Sequence, residues 1–483
     1  MPSREGGTIM SDPFGFMKYP RVNNPYRPVK ERVKDFAELQ HVLSDEERRK
    51  QAARCMNCGV PHCHVGFFYS GGKAVSGCPN DNLIPEWNDM VSQAKDRAAF
   101  ERLTKTNYLP DFTGRVCPAP CEVACNEALH GKGITIKDNE RFIIDQGFKY
   151  GWVKESGLPV KRNGIKIAIV GSGPTGLSCA WRLNRLGYDV TVFEKDDQPG
   201  GFAMYGIPNM KLPKGIVFRR IEVMKEIGIK FVVNTTVGVD VTAAELKQHY
   251  QRIVLAIGAR SARGLDVKGR QLKGIYQAVD FLTLATKKVV KDGTKATKVL
   301  AGKKVLVIGG GDTGNDCIAT AVRMGAKDVR QLEINRRPPT YRLTNNPWPE
   351  WPLTARTGYG QEEAKELFGG VITDYEMTAV GFTGQNGLVK SVTTSKARFH
   401  KPVPGTEQEQ DVDVVILAMG FNGAEQKYLQ AFGVDQVNED YTTNDEQVFV
   451  AGDARRGPSL VIWGIYEGRM VAEQVDAACQ VRV

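Results

Sequence analysis

Three cysteines fall within nine positions of "CMNCGVPHC" (Cys55, Cys58 and Cys63), and Cys78 follows in "GCPND". "GRVCPAPCEVACNE" then adds Cys117, Cys121 and Cys125, so that seven of the ten cysteines lie between residues 55 and 125. Thiols crowded in this way serve disulfides, zinc or iron–sulfur clusters. A disulfide scaffold belongs to small secreted domains, whereas this chain has 483 residues and enough apolar content to be stabilised by burial. Zinc takes four ligands, and seven thiolates do not fill two four-cysteine sites; His62 or His64 is the available eighth zinc ligand. Two cubane clusters would take seven cysteines and one other group. The choice depends on whether the rest of the chain handles electrons.

Two glycine turns indicate that it does. "IKIAIV" (165–170) reads as a buried strand, "GSGPTG" as a tight turn, "LSCAWRLNRLG" as a helix ended by Gly187, and "YDVTVFE" (188–194) as the next strand. The same pattern returns 138 residues later, with strand 303–308, turn Gly309–Gly314, a helix stopping near Gly325 and strand 328–334. In this context the glycines let the backbone approach a pyrophosphate, which then meets a helix N-terminus. The first dinucleotide set is Gly171, Gly173, Pro174 and Gly176, and the second is Gly309, Gly311, Asp312 and Gly314. Cys179 and Cys317 each stand eight residues after the first glycine of their turn and read as helix-face packing residues.

The ends of the second strands distinguish the two sites. Glu194 suits the hydroxyls of an unphosphorylated adenosine ribose. The corresponding stretch of the second copy, "EINRRPP", offers Arg336 and Arg337 for a 2′-phosphate. FAD is therefore expected at the first site and NADPH at the second. Gly200 and Gly201, in the loop "PGGFAMYGIPNMKLPK", are expected along the flavin, and Gly452 and Asp453 near its ribityl or pyrophosphate part. Beside a flavin, redox-active clusters make better sense of the thiols than inert zinc.

The predicted fold class is α/β: two Rossmann-like dinucleotide-binding domains, the FAD domain interrupted by the NADPH domain, preceded by a mainly helical iron–sulfur domain. The expected boundaries are 1–160 for the iron–sulfur domain, 161–285 and 441–483 for the FAD domain, and 286–440 for the NADPH domain. Ser44 and Glu47 are expected to form a capping box ahead of the first thiols. The Pro/Trp-rich stretch 336–352 reads as a packed loop rather than a docking surface. Net charge is +10, without a long Lys/Arg block or a recognised nucleic-acid module. No apolar run reaches membrane-spanning length and no signal peptide is evident. The expectation is a cytoplasmic protein that binds neither nucleic acid nor membrane.

The runs "GRVCP", "NERFI", "AIVGSGPTGLSCAWRL", "YGIPNMKLPK", "VIGGGDTGNDC" and "VFVAGDARRG" closely resemble the small (beta) subunit family of bacterial NADPH-dependent glutamate synthase. The same module is found in the N-terminal part of dihydropyrimidine dehydrogenase. The resemblance runs from about residue 14 to the end. It implies one FAD, an NADPH site and two [4Fe–4S] clusters, one held by Cys55, Cys58, Cys63 and Cys125, the other by Cys78, Cys117, Cys121 and Glu140 of "NERFI". The spacing from Cys63 to Cys78 exceeds that of compact relatives, and Cys117 and Cys121 are closer than in some. The resemblance also implies a hetero-oligomer in which electrons from NADPH pass through FAD and the clusters to a large (alpha) subunit that makes glutamate from glutamine and 2-oxoglutarate. No catalytic acid, base or nucleophile is expected here, and a chain opening Met-Pro-Ser is not expected to hydrolyse glutamine itself. A differently partnered NADPH oxidoreductase serving ferredoxin or polysulfide, and a zinc-stabilised nucleotide-binding adaptor, are the alternative readings.

Overall fold

The computed structural model describes residues 14–64, 67–68, 74–129 and 131–480. The thiol-bearing region is helical, with α1 (Asp45–Ala53), α2 (Ile84–Ser92), α3 (Asp96–Leu103), α4 (Pro110–Val116) and α5 (Ile136–Lys149). Ser44 caps α1 by accepting the Glu47 N–H; the return bond from the Glu47 side chain that would complete a capping box is not among its contacts. Trp87, Phe100, Phe112 and Ile143 are buried in a core shared with the next domain.

That domain begins with a continuous apolar strand, β1 (Lys166–Val170), buried from Ile167 onward. Pro174 occupies the first turn of α6 (Pro174–Arg185), where a missing N–H costs nothing. The chain continues through β2 (Asp189–Phe193), α7 (Lys214–Glu226), β3 (Lys230–Val232) and β4 (Arg252–Leu255) before crossing into the second domain. There β5 (Ile275–Gln277), α8 (Ala278–Asp292), β6 (Lys304–Ile308), α9 (Asp312–Arg323), β7 (Asp328–Glu333), α10 (Tyr359–Phe368), β8 (Thr373–Tyr375) and β9 (Val414–Leu417) follow. The chain returns through β10 (Val448–Val450) and ends on α11 (Val461–Gln480). Both sheets are parallel and five-stranded, in the orders β10-β4-β1-β2-β3 and β8-β7-β6-β9-β5.

The expected domain boundaries at 285/286 and 440/441 need correction. Strand β5 pairs with β9, and Phe281, Leu282 and Val289 of α8 pack in the second domain's core. The two crossings run side by side, Ser261–Ala262 pairing antiparallel with Phe421–Gly423. From Ala424 onward the chain is already in the first domain's core, through Leu429, Phe432 and Val434. A three-residue strand carries too little periodicity to announce itself in sequence.

Two seams fix the three units. Arg220 of α7 and Asp111 of α4, 1% and 0% exposed at the side chain, form a two-pronged ion pair of 2.7 and 3.1 Å. On the other side, Phe36 and Leu39 of the N-terminal segment are buried in the second domain's core. Nearby, Arg32 and Arg323 both hold the fully buried Glu363. Removing one partner of such a pair strands the other charge, whereas replacing both with apolar groups does not. Arg220→Ala is therefore expected to destabilise the protein by ~3–5 kcal/mol, and the double replacement Asp111→Leu/Arg220→Met to recover most of that loss, measured by denaturant unfolding.

Candidate functional site

The two glycine turns are built alike. Gly171 has φ +102° and Gly309 φ +121°, and a Cβ at either would run into a neighbouring strand's carbonyl, Ala256 O at 2.4 Å and Ala418 O at 2.2 Å. Only glycine brings the turn this close to the sheet. Gly176 and Gly314 pack against the first glycine of their own turn, where a Cβ would lie 2.0 and 2.2 Å from its carbonyl oxygen. Gly173 and Gly311 precede the first residues of α6 and α9. Cys179 and Cys317 are fully buried, in keeping with packing roles.

A single cleft joins the three units. It is lined by Gly171, Gly173, Pro174, Glu194, Gly201 and Asp453 of the first domain, by Asp312 and Asp316 of the second, and by Val116 at the end of α4. Ser172, which motif reading passed over, organises the turn: its hydroxyl donates to Glu194 and accepts the Gly200 N–H at 2.9 Å. Glu194 also takes the Asp196 N–H at 2.9 Å. The fully buried Glu467 accepts the Gly452 N–H at 2.6 Å and holds Arg455 and Arg456. Burial pushes the Asp453 carboxyl up to about 6, against the opposing hydrogen bond from Ser459. Lys214 supports the 199–214 loop from below, donating to the carbonyls of Ala203 and Ile207 at 2.8 and 2.7 Å, and its burial lowers the amine to about 7. The start of α6 behind the first glycine turn and the strand-end carboxylates suit a dinucleotide laid along the cleft. Arg336 and Arg337 lie outside it, exposed beyond β7.

The thiols gather into two sets. Cys55, Cys58, Cys63 and Cys125 line one small cavity. Cys78, Cys117 and Cys121 lie close enough to Glu140 for its charge to raise each of their pKa values. Glu140 is buried, accepts the Thr113 hydroxyl at 2.7 Å and a hydrogen bond from Asn107, and is pushed up to about 7 by burial. The long interval between Cys63 and Cys78 closes on itself: Phe67–Phe68 pairs antiparallel with Ala74–Ser76, and the Cys78 N–H donates to the Cys63 carbonyl at 2.9 Å. The two sets are thus adjacent, and the second adjoins the cleft through Val116.

The seven clustered cysteines, Cys55 to Cys125, carry free thiols. Among the described residues no three His, Cys, Asp or Glu side chains converge on a single-ion site. Cubane ligands each bind a different iron and stand farther apart than the ligands of one zinc. Burial pushes Cys55, Cys78 and Cys117 up to about 12, so that ionised sulfurs here call for a cationic body between them. Backbone N–H groups already favour the thiolate form, from Asn57 to Cys55, Asn80 and Asn82 to Cys78, Ala119 to Cys117, and Glu127 and Ile134 to Cys125. Both sets fit iron–sulfur clusters on these grounds. The 336–352 segment is a largely exposed loop in which only Asn346 is buried; Arg342 donates to the Asn346 and Glu350 carbonyls, and the Trp348 ring lies 4.9 Å from that of His62, between Cys58 and Cys63.

Comparison with known proteins gives matching results. Residues 165–468 match the pyridine nucleotide-disulphide oxidoreductase family, and residues 32–152 match dihydropyrimidine dehydrogenase domain II, 4Fe-4S cluster. The chain is 46% identical to the glutamate synthase [NADPH] small chain of Bacillus subtilis, over 97% of this chain and 98% of that one. It is 40% identical to glutamate synthase [NADH] of Saccharomyces cerevisiae, over 96% of this chain but 22% of that protein. FprA of Mycobacterium tuberculosis, solved in complex with NADPH, shares the fold at a TM-score of 0.50 and 18% identity, over 66% of this chain and 85% of that one. Among the described residues no helix is long and apolar enough to cross a membrane. Glu194→Ala is expected to weaken flavin retention by ~1.5–3 kcal/mol, roughly tenfold or more, read as loss of yellow colour on gel filtration while the iron content stays with the protein.

Proposed function

The chain belongs to the glutamate synthase small-chain family, and from that premise we propose that it is the NADPH-oxidising, electron-input partner of a large, glutamate-forming chain. The observation that carries this reading is the shared cleft, which touches the first glycine turn, the start of α9 and the residue before Cys117. FAD bound there accepts the electron pair that NADPH delivers as hydride, and iron–sulfur clusters take electrons singly. The residues contribute position and environment. Glu194, held by Ser172, would receive the adenosine ribose hydroxyls, and Asp453 would meet the ribityl or pyrophosphate part of the cofactor. The 199–214 loop, supported by Lys214, would shape the flavin end, and Asp312 at the head of α9 would meet the coenzyme.

Cys78, Cys117, Cys121 and Glu140 are the set beside the cleft and would hold the receiving cluster. Cys55, Cys58, Cys63 and Cys125 would hold the second, and Cys55 and Cys58 are its half-exposed members. In that order the second set would lie on the side of a docked partner. No side chain need act as acid, base or nucleophile.

Anaerobically prepared protein is expected to contain about eight iron atoms per chain, the content of two four-iron clusters. Its yellow colour should bleach on NADPH addition, with reduced clusters seen by electron paramagnetic resonance. Cys58→Ser and Cys121→Ser should each remove about half the iron and a different one of two signals. With the cognate large chain, NADPH oxidation should become dependent on glutamine and 2-oxoglutarate. Failure of that dependence, with rapid reduction of ferredoxin, would move the chain to the differently partnered oxidoreductases. Iron-free protein that NADPH does not bleach would end the reading.

A further inference from the structure

Strand β7 ends on a carboxylate in the same setting as Glu194. Val170 pairs with Phe193 in the first sheet and Ile308 with Leu332 in the second, so Glu194 and Glu333 each stand one step beyond equivalent pairs. Glu194 Oε2 accepts the Ser172 N–H at 3.2 Å, and its Oε1 accepts the N–H of Asp196, two residues on, at 2.9 Å. Glu333 Oε2 accepts the Gly310 N–H at 2.7 Å, and its Oε1 accepts the N–H of Asn335, again two residues on, at 2.7 Å. A Cβ on Gly310 would meet Glu333 Oε2 at 2.1 Å, so the carboxylate is seated against the turn. Arg336 and Arg337 come three and four residues later, exposed, and among the described residues neither is in an ion pair.

A strand-end carboxylate accepts hydrogen bonds from a free ribose 2′-hydroxyl. The same carboxylate repels a 2′-phosphate, while nearby guanidinium groups attract one. The second site contains both elements. We propose that Glu333 is a coenzyme-selectivity residue that favours NADH and opposes the arginines' preference for NADPH, so that this domain accepts both coenzymes. The inference rests on reading the second domain as the pyridine-nucleotide site. Because the coenzymes deliver the same hydride, the discrimination lies in binding. Because the arginines are exposed and Glu333 only half-buried, it is moderate and salt-sensitive.

The test compares NADH with NADPH on the full-length holoenzyme, as kcat and KM with an artificial acceptor, alongside NAD⁺ and NADP⁺ dissociation constants by calorimetry. Wild-type protein is expected to oxidise NADH with kcat/KM within about 100-fold of that for NADPH. Glu333→Gln should shift the ratio about tenfold toward NADPH, in KM and in the dissociation constants alike. Arg336→Ala/Arg337→Ala should shift it about tenfold the other way, and high salt should compress both shifts. A ratio within twofold of wild type in Glu333→Gln, or equal weakening of both nucleotides, overturns the selectivity role and leaves the second-domain reading intact. Wild-type protein that binds neither nucleotide overturns that reading, and the inference with it.

Discussion

The buried pair Asp111–Arg220 fixes how the thiol-bearing helices sit against the first dinucleotide domain. Asp111 sits in the short helix α4, whose last residue lines the nucleotide cleft and whose C-cap is Cys117. Arg220 sits in α7 of the first dinucleotide domain, with its guanidinium over the rings of Trp181 and Phe148. The bond therefore connects the helix that leads into Cys117 to a helix of the first dinucleotide domain. A buried ion pair adds little net stability over an apolar contact. What it imposes is geometry, because two bidentate partners have one mutual arrangement. Around it Asp145 reaches Arg115 at 3.0 Å and also pairs with Arg219 of α7. Slippage along this seam would break several charge pairs at once.

The second domain is held from the opposite side. Its helices α9 and α10 supply Arg323 and Glu363, and the N-terminal segment supplies Arg32, Phe36 and Leu39. The Phe36 N–H donates to the Thr294 carbonyl and the Leu39 N–H to the Met210 carbonyl, so the same segment spans both dinucleotide domains. A cleft that must accept a mobile coenzyme is thus framed by elements tied at each end.

Local signals were legible in the sequence. The glycine turns, the β1, β2, β6 and β7 strands and the helix stops at Gly187 and Gly325 rest on residues close together in the chain, and they appear where the spacing predicts. The long-range features were not legible. The boundary near residue 260 escaped because β5 spans three residues and pairs with a strand about 140 positions away. The match of Glu333 with Glu194 was not legible because it lies in the sheet register and not in the local motif. Spacing alone did not partition the thiols; the family resemblance supplied a partition, and what the fold adds is that Cys55, Cys58, Cys63 and Cys125 line one cavity. The ribbon between Cys63 and Cys78 explains how a long interval leaves the two sets adjacent.

The seam formed by the N-terminal segment also has a kinetic side. Arg32 and Glu363 are separated by 331 positions, so a chain growing from its N-terminus emerges with Phe36 and Leu39 long before their cover exists. At ordinary synthesis rates the wait is roughly 20–60 s. For that interval an arginine destined for burial stays hydrated and two apolar side chains stay open to solvent. Residues 32–39 thus leave the ribosome well before residue 363, and their final burial waits on the making of the second domain.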